Sequence, residues 1–463
     1  MAQRSNPSMF FARHFVFCLL LLFMFAGSAF AAATNSLVWQ MPAGRVSADV
    51  HGQALWPLLE NIAHQTGWHI FVEPGADRKS DVKFSDLPAG EALKKLLGDL
   101  NFALVPRTNE PSRLYVFTTR MENATRPVAA PALVKPAPQR HSTNELILKV
   151  KPGTDSDALA RSLGAKIIGR SDKMGLYKLE FADAAAMEAA LGKLKTNADV
   201  AQVDYNHIYD SPVSAQRSAN APLAPVSLTL NPPGDSGRVI VGLVDTPIQS
   251  LGAELDSFIL RQISVAGEAT GTGTDPTHAT SMAETILRAM SLAAGGSTSA
   301  QILPVNVYGA SESTSSWNVA LGIQAAVDGG ATVLNLSLSG TSESAILSDI
   351  IQQAIAKGIV VFAAAGNQPV STPTYPAAIS GVVAVAATQG GSLASYSNFG
   401  SFISLALPGA SVVYLGGQAW VVQGTSPATA YASGVAAGTK SGTSMTWAQI
   451  LTAMQQKFPV PAK

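Results

Sequence analysis

Four near-continuous apolar runs of strand length constrain the second half of this chain. They are Val239-Ile-Val-Gly-Leu-Val244, Thr332-Val-Leu-Asn-Leu336, Ile359-Val-Val-Phe-Ala363 and Val382-Val-Ala-Val-Ala386. A strand with one wet face alternates polar and apolar residues. A run without alternation needs cover on both faces, as parallel strands have between two helical layers. Helical patterns fall between the runs, at residues 318–327 and 346–355. The expectation is an α/β domain over residues 237–460 with a doubly wound, mostly parallel sheet. Sites on such sheets form beyond the carboxyl ends of the strands.

Two small α+β domains are expected upstream, separated by proline-rich linkers. Residues 120–144 contain Pro127, Pro131, Pro136 and Pro138 among alanines, and residues 211–236 contain Pro212, Pro222, Pro225, Pro232 and Pro233. Such stretches read as linkers. The first piece, 45–119, reads as strand 46–50, helix 55–63, strands 69–72 and 82–84, helix 92–97, and a hairpin of 102–105 with 114–117. The second piece, 145–210, reads as strand 146–150, helix 155–163, strands 165–169 and 175–180, helix 184–194 and strand 200–204. That βαββαβ order is ferredoxin-like.

The first 31 residues predict a secretory signal peptide. Arg4, Arg13 and His14 precede the apolar run 16–25, and Ala29-Phe-Ala31 has the small-x-small form of a cleavage site. The only cysteine, Cys18, lies inside this segment. An exported mature chain would then have no disulfide, no thiol nucleophile and no thiolate metal site, which suits the bacterial periplasm or the exterior. Net charge is formally zero, 13% of residues are charged and no Lys/Arg run occurs, which argues against nucleic-acid binding. His51, His64 and His69 match no standard ligand spacing. No acidic cluster argues for calcium, and neither a metal nor a cofactor is expected. The glycines of 267–273 lack the preceding strand and the lysine of a phosphate loop.

Three short segments carry candidate chemistry: Val241-Gly-Leu-Val-Asp245-Thr, His278-Ala-Thr-Ser-Met-Ala-Glu-Thr-Ile286 and Gly424-Thr-Ser426-Pro-Ala-Thr. They supply an acid, a base and a nucleophile in the order Asp, His, Ser. A serine hydroxyl needs an imidazole to take its proton, and a carboxylate to hold that imidazole in the right tautomer. From Gly237 onward His278 is the only histidine. Asp245 directly follows a strand, while His278 and Ser426 each open a helical pattern.

At these residues the chain resembles the subtilase family of serine proteases, from Arg238 to Phe458. The resemblance extends to Ala363-Ala-Ala-Gly-Asn367 and to Asn335-Leu-Ser-Leu-Ser-Gly340, with Tyr375-Pro-Ala and Ser397-Asn-Phe-Gly400 as smaller landmarks. It implies a catalytic triad of Asp245, His278 and Ser426. It also implies an oxyanion hole from Asn367 and the Ser426 amide, and a substrate-lining strand with Ser337, Leu338, Ser339 and Gly340. The implied substrate is a polypeptide. Residues 145–210 resemble the inhibitory propeptide of the family, with Val200-Ala-Gln-Val-Asp204 as its last strand. Residues 45–119 resemble the short N-terminal domain of secretins and TonB-dependent transducers, which implies an envelope protein partner.

Four family glycines are replaced here, by Pro247, Ala279, Glu284 and Ser339. Proline cannot take positive φ. Glu284 is expected either to add a charge near the site or to point to solvent. Pro427, after the nucleophile, is expected at the first helical position, where it removes no needed donor, although it biases residue 426 away from helical geometry. Two other readings stay open: an inactive binding module of the same fold, and an envelope docking or signalling protein acting through its N-terminal domain.

Overall fold

The computed structural model describes residues 36–40, 44–106, 112–128, 140–212, 215–218, 226–231, 237–269, 271 and 273–461. The expected signal peptide with Cys18, the His64 side chain and parts of both linkers lie outside the described residues. The chain divides into two compact units, Met1–Ala130 and Pro131–Lys463.

In the first unit β1 (Ser36–Gln40) and β2 (Arg45–Ala54) lead into α1 (Leu55–Thr66). Then follow β3 (His69–Val72), β4 (Lys79–Pro88), α2 (Ala89–Leu97), β5 (Asn101–Val105), β6 (Arg113–Phe117) and β7 (Arg126–Val128). Leu55, Leu58, Leu59, Ile62 and Ala63 fall on one stripe of α1 and are buried against Leu93, Leu96 and Leu97 of α2. Gly67 ends α1 in the left-handed region at φ 70° and returns its N–H to the Ala63 carbonyl. Two sheets result, ordered β1-β2-β4 and β5-β6-β3-β7. The expected helices and the expected hairpin are present. β7 lies in the stretch read as linker. Its Pro127 is tolerated because β7 is an edge strand, paired among the described residues with β3 alone. At the end of β3, the buried Glu73 carboxylate accepts from the Thr118 and Thr119 amides at 2.6 and 2.9 Å and from both threonine hydroxyls. These bonds hold its pKa down to about 2.

The second unit begins with β8 (His141–Val150), α3 (Ser156–Ser162), β9 (Lys166–Ser171), β10 (Leu176–Glu180), α4 (Ala184–Leu194) and β11 (Val200–Asp210). Asp155 and Asp183 cap the two helices, accepting from Ala158 and Ala186 amides at 2.9 and 2.8 Å. The strand order β11-β8-β10-β9 is the ferredoxin-like order expected from the sequence. A short strand, β12 (Gln216–Arg217), follows.

The α/β layer then comprises β13 (Ile240–Asp245), α5 (His278–Ala293), β14 (Gln301–Asn306), β15 (Ser313–Ser315), α6 (Ser316–Asp328), β16 (Val333–Leu336), α7 (Ala345–Ala356), β17 (Val360–Ala364) and β18 (Val383–Gln389). It ends with β19 (Leu405–Pro408), β20 (Ala410–Leu415), β21 (Gln418–Gln423), α8 (Thr425–Gly442) and α9 (Trp447–Lys457). The central order is β14-β13-β16-β17-β18, all parallel. The four apolar runs are four of these strands, each beginning one residue later than the run. β14 was not legible: Pro304 sits in its middle, and proline within a run argues against a central strand. α5 and α8 cover one face with Met282, Ile286 and Ala436, while α6 and α7 cover the other with Val319, Ile323 and Ile346. α5 and α8 approach closely. A Cβ on Gly438 would lie 2.8 Å from the Met290 carbonyl oxygen, and one on Gly434 would collide with the Ile286 carbonyl.

The ferredoxin-like sheet packs on this outer face. β11 pairs with β15 of the α/β layer. Ile147, Leu176 and Tyr209 share a core with Trp317, Ile346 and Ile350. Gly169 admits the Trp317 ring, where a Cβ would lie 2.7 Å from its edge. Lys149 pairs with Asp349, and Lys173 with Asp328 at 2.7 Å.

Candidate active site

Asp245 is the last residue of β13 and is buried. The next residue, Thr246, donates its amide to Asp245 Oδ1 at 2.7 Å, and its hydroxyl accepts from the Ala279 amide at 2.9 Å. The end of β13 is thereby tied to the first turn of α5. His278 is the first residue of that helix, behind the N-cap Thr277, whose hydroxyl accepts from the Thr280 amide. The Pro247 loop is fastened to the same turn: the Gln249 amide donates to Thr280 Oγ1 at 2.9 Å, and Gln249 Oε1 accepts from the Thr277 amide at 2.8 Å. Proline in place of glycine therefore leaves the acid and the helix start joined.

The buried His278 Nδ1 lies 2.8 Å from both carboxylate oxygens of Asp245. A proton on Nδ1 satisfies both, which leaves Nε2 as the basic nitrogen of the neutral ring. Ser426 is the second residue of α8. Its amide is one of the first-turn N–H groups with no intrahelical acceptor, at the positive end of the helix. Pro427 is the third helical residue, not the first as the sequence suggested, and residue 426 is helical despite it. Its missing N–H would also have been unpaired within the helix, so nothing is lost. The Ser426 hydroxyl donates to the Ser337 carbonyl at 3.4 Å. Among the described residues no hydrogen bond joins it to His278. Such bonds are often loose in empty sites and tighten around substrate.

Asn367 follows β17. Its Oδ1 accepts from the Thr425 amide at 2.9 Å and from the Thr425 hydroxyl at 3.1 Å. With the oxygen engaged, the NH2 end points the other way, beside Gly424. Gly424 has φ 145°, and a Cβ there would lie 3.0 Å from Asn367 Nδ2. Thr425 Oγ1 also accepts from the Gly366 amide at 3.0 Å. Asn398, in the Ser397-Asn-Phe-Gly400 landmark, braces the same loop. Its amide donates to the Ala365 carbonyl and its carbonyl accepts from the Gln368 amide, both at 2.8 Å. The sequence offered Asn398 only as part of a motif. Its bracing role depends on residues some thirty positions away in the chain.

The segment 337–340 leaves β16. Ser337 and Leu338 are buried and Ser339 is exposed. Gly340 exchanges both backbone hydrogen bonds with Tyr375, each at 2.8 Å, so these groups are already paired. Ser339, Gly340 and Asn367 line a cavity of about 390 Å3, whose other wall is Tyr209, Ser211 and Pro212 from the end of the ferredoxin-like domain. Glu284 does not point to solvent. It is buried away from solvent and spends its charge on the Tyr414 amide at 2.6 Å and on Arg288 at 3.1 Å. Burial raises its pKa to about 6 despite these two partners.

Residues 236–458 match the model of the Subtilase family, and residues 127–206 match that of the Fervidolysin N-terminal prodomain. Thermitase from Thermoactinomyces vulgaris is 35% identical over 205 residues, which cover 42% of this chain and 72% of thermitase. The chain belongs to the subtilase family. M-protease from Shouchella clausii (strain KSM-K16) is 38% identical over 146 residues, 31% of this chain. The match spans 38% of the length of M-protease and 54% of that of Subtilisin Savinase from Lederbergia lenta. The structure of fervidolysin from Fervidobacterium pennivorans, described as a keratinolytic enzyme related to subtilisin, shares the fold. Its TM-score is 0.54 at 19% identity, covering 68% of this chain and 57% of fervidolysin. The doubly wound α/β fold and the prodomain-like region upstream thus agree with the sequence reading.

Proposed function

We propose that this subtilase is an exported serine endopeptidase that cuts polypeptides through an acyl-enzyme. The observation that carries the reading is the buried His278–Asp245 pair, with Nδ1 2.8 Å from both carboxylate oxygens, at the strand end that α8 faces with Ser426. In this mechanism His278 Nε2 takes the Ser426 proton as Oγ attacks the peptide carbonyl. Asp245 stabilises the resulting imidazolium. The Asn367 NH2 and the Ser426 amide receive the developing oxyanion. His278 then hands its proton to the leaving amine, and water repeats the sequence on the acyl-enzyme. Ser337, Leu338, Ser339 and Gly340 form the wall beside which the substrate lies.

The domain assignment follows the sequence: signal peptide 1–31, docking domain 45–119, linker 120–144, propeptide-like domain 145–210, linker 211–236 and peptidase domain 237–460. The position of residues 209–212 against Ser339 and Asn367 supports self-inhibition by the propeptide-like domain. The strand and helix order of the first unit supports a docking role for an envelope partner, of the kind served by the short N-terminal domain of secretins and TonB-dependent transducers. Among the described residues no helix is long and apolar enough to cross a membrane.

The test is intact mass and fluorophosphonate labelling of wild type and Ser426→Ala, both expressed without residues 1–31. Loss of an N-terminal fragment cut within 211–236, and labelling, in wild type alone would support the reading. A wild type that stays whole and unlabelled would replace it with a peptide-binding module.

A further inference from the structure

Beyond the propeptide-like domain, residues 216–218 of the linker lie on the peptidase surface. β12 adds to the β20–β21 hairpin as an antiparallel edge strand, with Gln216 opposite Val421 and Arg217 opposite Trp420. The Ser218 amide donates to the Ala419 carbonyl at 3.0 Å, and Gln418 Nε2 donates to the Ser218 carbonyl at 3.3 Å. β21 runs directly into Gly424, Thr425 and Ser426. An antiparallel partner is therefore nearest the nucleophile at its own N-terminal end and recedes along β21. Residues 209–212 lie on the opposite side, against Ser339 and Asn367. Residues 209–212 and 216–218 thus each lie against the peptidase domain, with 216–218, the later in the chain, on the leaving-group side.

The side chain that this path presents is basic. The Arg217 guanidinium sits 5.1 Å from the Trp420 ring centroid and 4.0 Å from Asp275 Oδ1. It borders a large cavity between Gln249–Gly252, Thr274 and the hairpin turn at Gly416 and Gly417. Main-chain pairing is indifferent to sequence and supplies affinity. The aromatic face and the carboxylate discriminate in favour of a cation.

We infer that the β21 edge, Trp420 and Asp275 form a subsite that selects a basic residue on the leaving-group side of the scissile bond. The linker's own Arg217 is its first occupant. This rests on the endopeptidase reading. The test uses the full chain and internally quenched peptides of the sequence 208–218, carrying Arg, Ala or Glu at the position of Arg217. A stacked cation with an exposed ion partner is worth about tenfold in kcat/KM for Arg over Glu. Asp275→Asn should shrink the ratio and Asp275→Lys should invert it, since the exposed Asp275 side chain faces Arg217. Because residue 275 lies three positions before His278, the ratio is taken against the Ala peptide on the same variant, which corrects for any change in the catalytic rate. Equal hydrolysis of the three peptides, or a ratio untouched by Asp275→Lys, would overturn the subsite and leave the endopeptidase intact. Should no peptide be cut and Ser426 take no label, the endopeptidase reading fails. Fluorescence anisotropy of the same peptides on Ser426→Ala then decides the subsite: tighter binding of the Arg peptide upholds it and equal binding removes it.

Discussion

The Asn367 side-chain oxygen accepts both the amide and the hydroxyl of Thr425, the residue before the candidate nucleophile, at 2.9 and 3.1 Å. The proposed oxyanion donor and the candidate nucleophile are thereby positioned by one threonine. Asn367→Ala removes a donor from the developing charge and should lower kcat by about 100- to 1000-fold with little change in KM. Thr425→Val keeps the amide bond but loses the hydroxyl clamp. It should cost about fivefold, equivalent to the hydrogen bond of about 1 kcal/mol to Asn367. Steady-state kinetics on a quenched peptide separates the two.

Asp245 holds the His278 tautomer through two short contacts. Asp245→Asn preserves size but presents an NH2 to Nδ1, which favours the tautomer with the proton on Nε2. The expected loss in kcat is about 10,000-fold, read by the same assay at neutral pH. Thermal unfolding of the variant should stay close to wild type, because the shape of the buried pair is kept.

Glu284 is a raised-pKa carboxyl, with its folded value about 6 against 4.5 in the unfolded chain. The folded state binds the proton more tightly. The stabilising contribution is therefore full below about pH 4.5 and is lost as pH rises through about 6. The shift corresponds to about 2 kcal/mol. Relative to Glu284→Gln, wild type should lose about that much stability between pH 4 and pH 7, measured by denaturant unfolding of the two chains in parallel.

Gly434 lets α8 press its backbone against α5. Gly434→Ala drives a Cβ into the Ile286 carbonyl oxygen, which belongs to helix backbone and cannot rotate away. Overpacking of this kind costs about 1–3 kcal/mol. Since α8 carries Ser426 and α5 carries His278, the same change should also lower kcat. A variant with reduced Tm and unaltered kcat would show that the helix approach does not set the triad.

Glu73 runs in the opposite sense to Glu284. Its folded pKa of about 2 lies below the unfolded 4.5. The contribution is present above about pH 4.5 and disappears as pH falls through about 2. Glu73→Gln should therefore weaken the first unit at neutral pH and leave it unchanged at the acid end, as followed by hydrogen exchange of Thr118 and Thr119.

What the sequence determined by itself were the parts governed by local periodicity and chain order. The apolar runs at 239–244, 332–336, 359–363 and 382–386 declared strands buried on both faces, because burial of a strand leaves no reason for polar alternation. The βαββαβ order of 145–210 was also legible there, and Asp245, His278, Ser426 and Asn367 could be named as candidates from chain order alone. Tertiary structure decided whatever depends on partners distant in the chain. β14 is a strand of the parallel sheet in spite of Pro304, and β7 an edge strand inside a proline-rich stretch, because neighbouring strands supply what local propensity denies. Glu284 is buried and answered by the Tyr414 amide, a partner 130 residues away. Gly169 is small because Trp317 of another domain fills its space. The placement of 216–218 is set by pairing with β21, and a hydrogen-bonded register between distant strands leaves no periodic trace in either one.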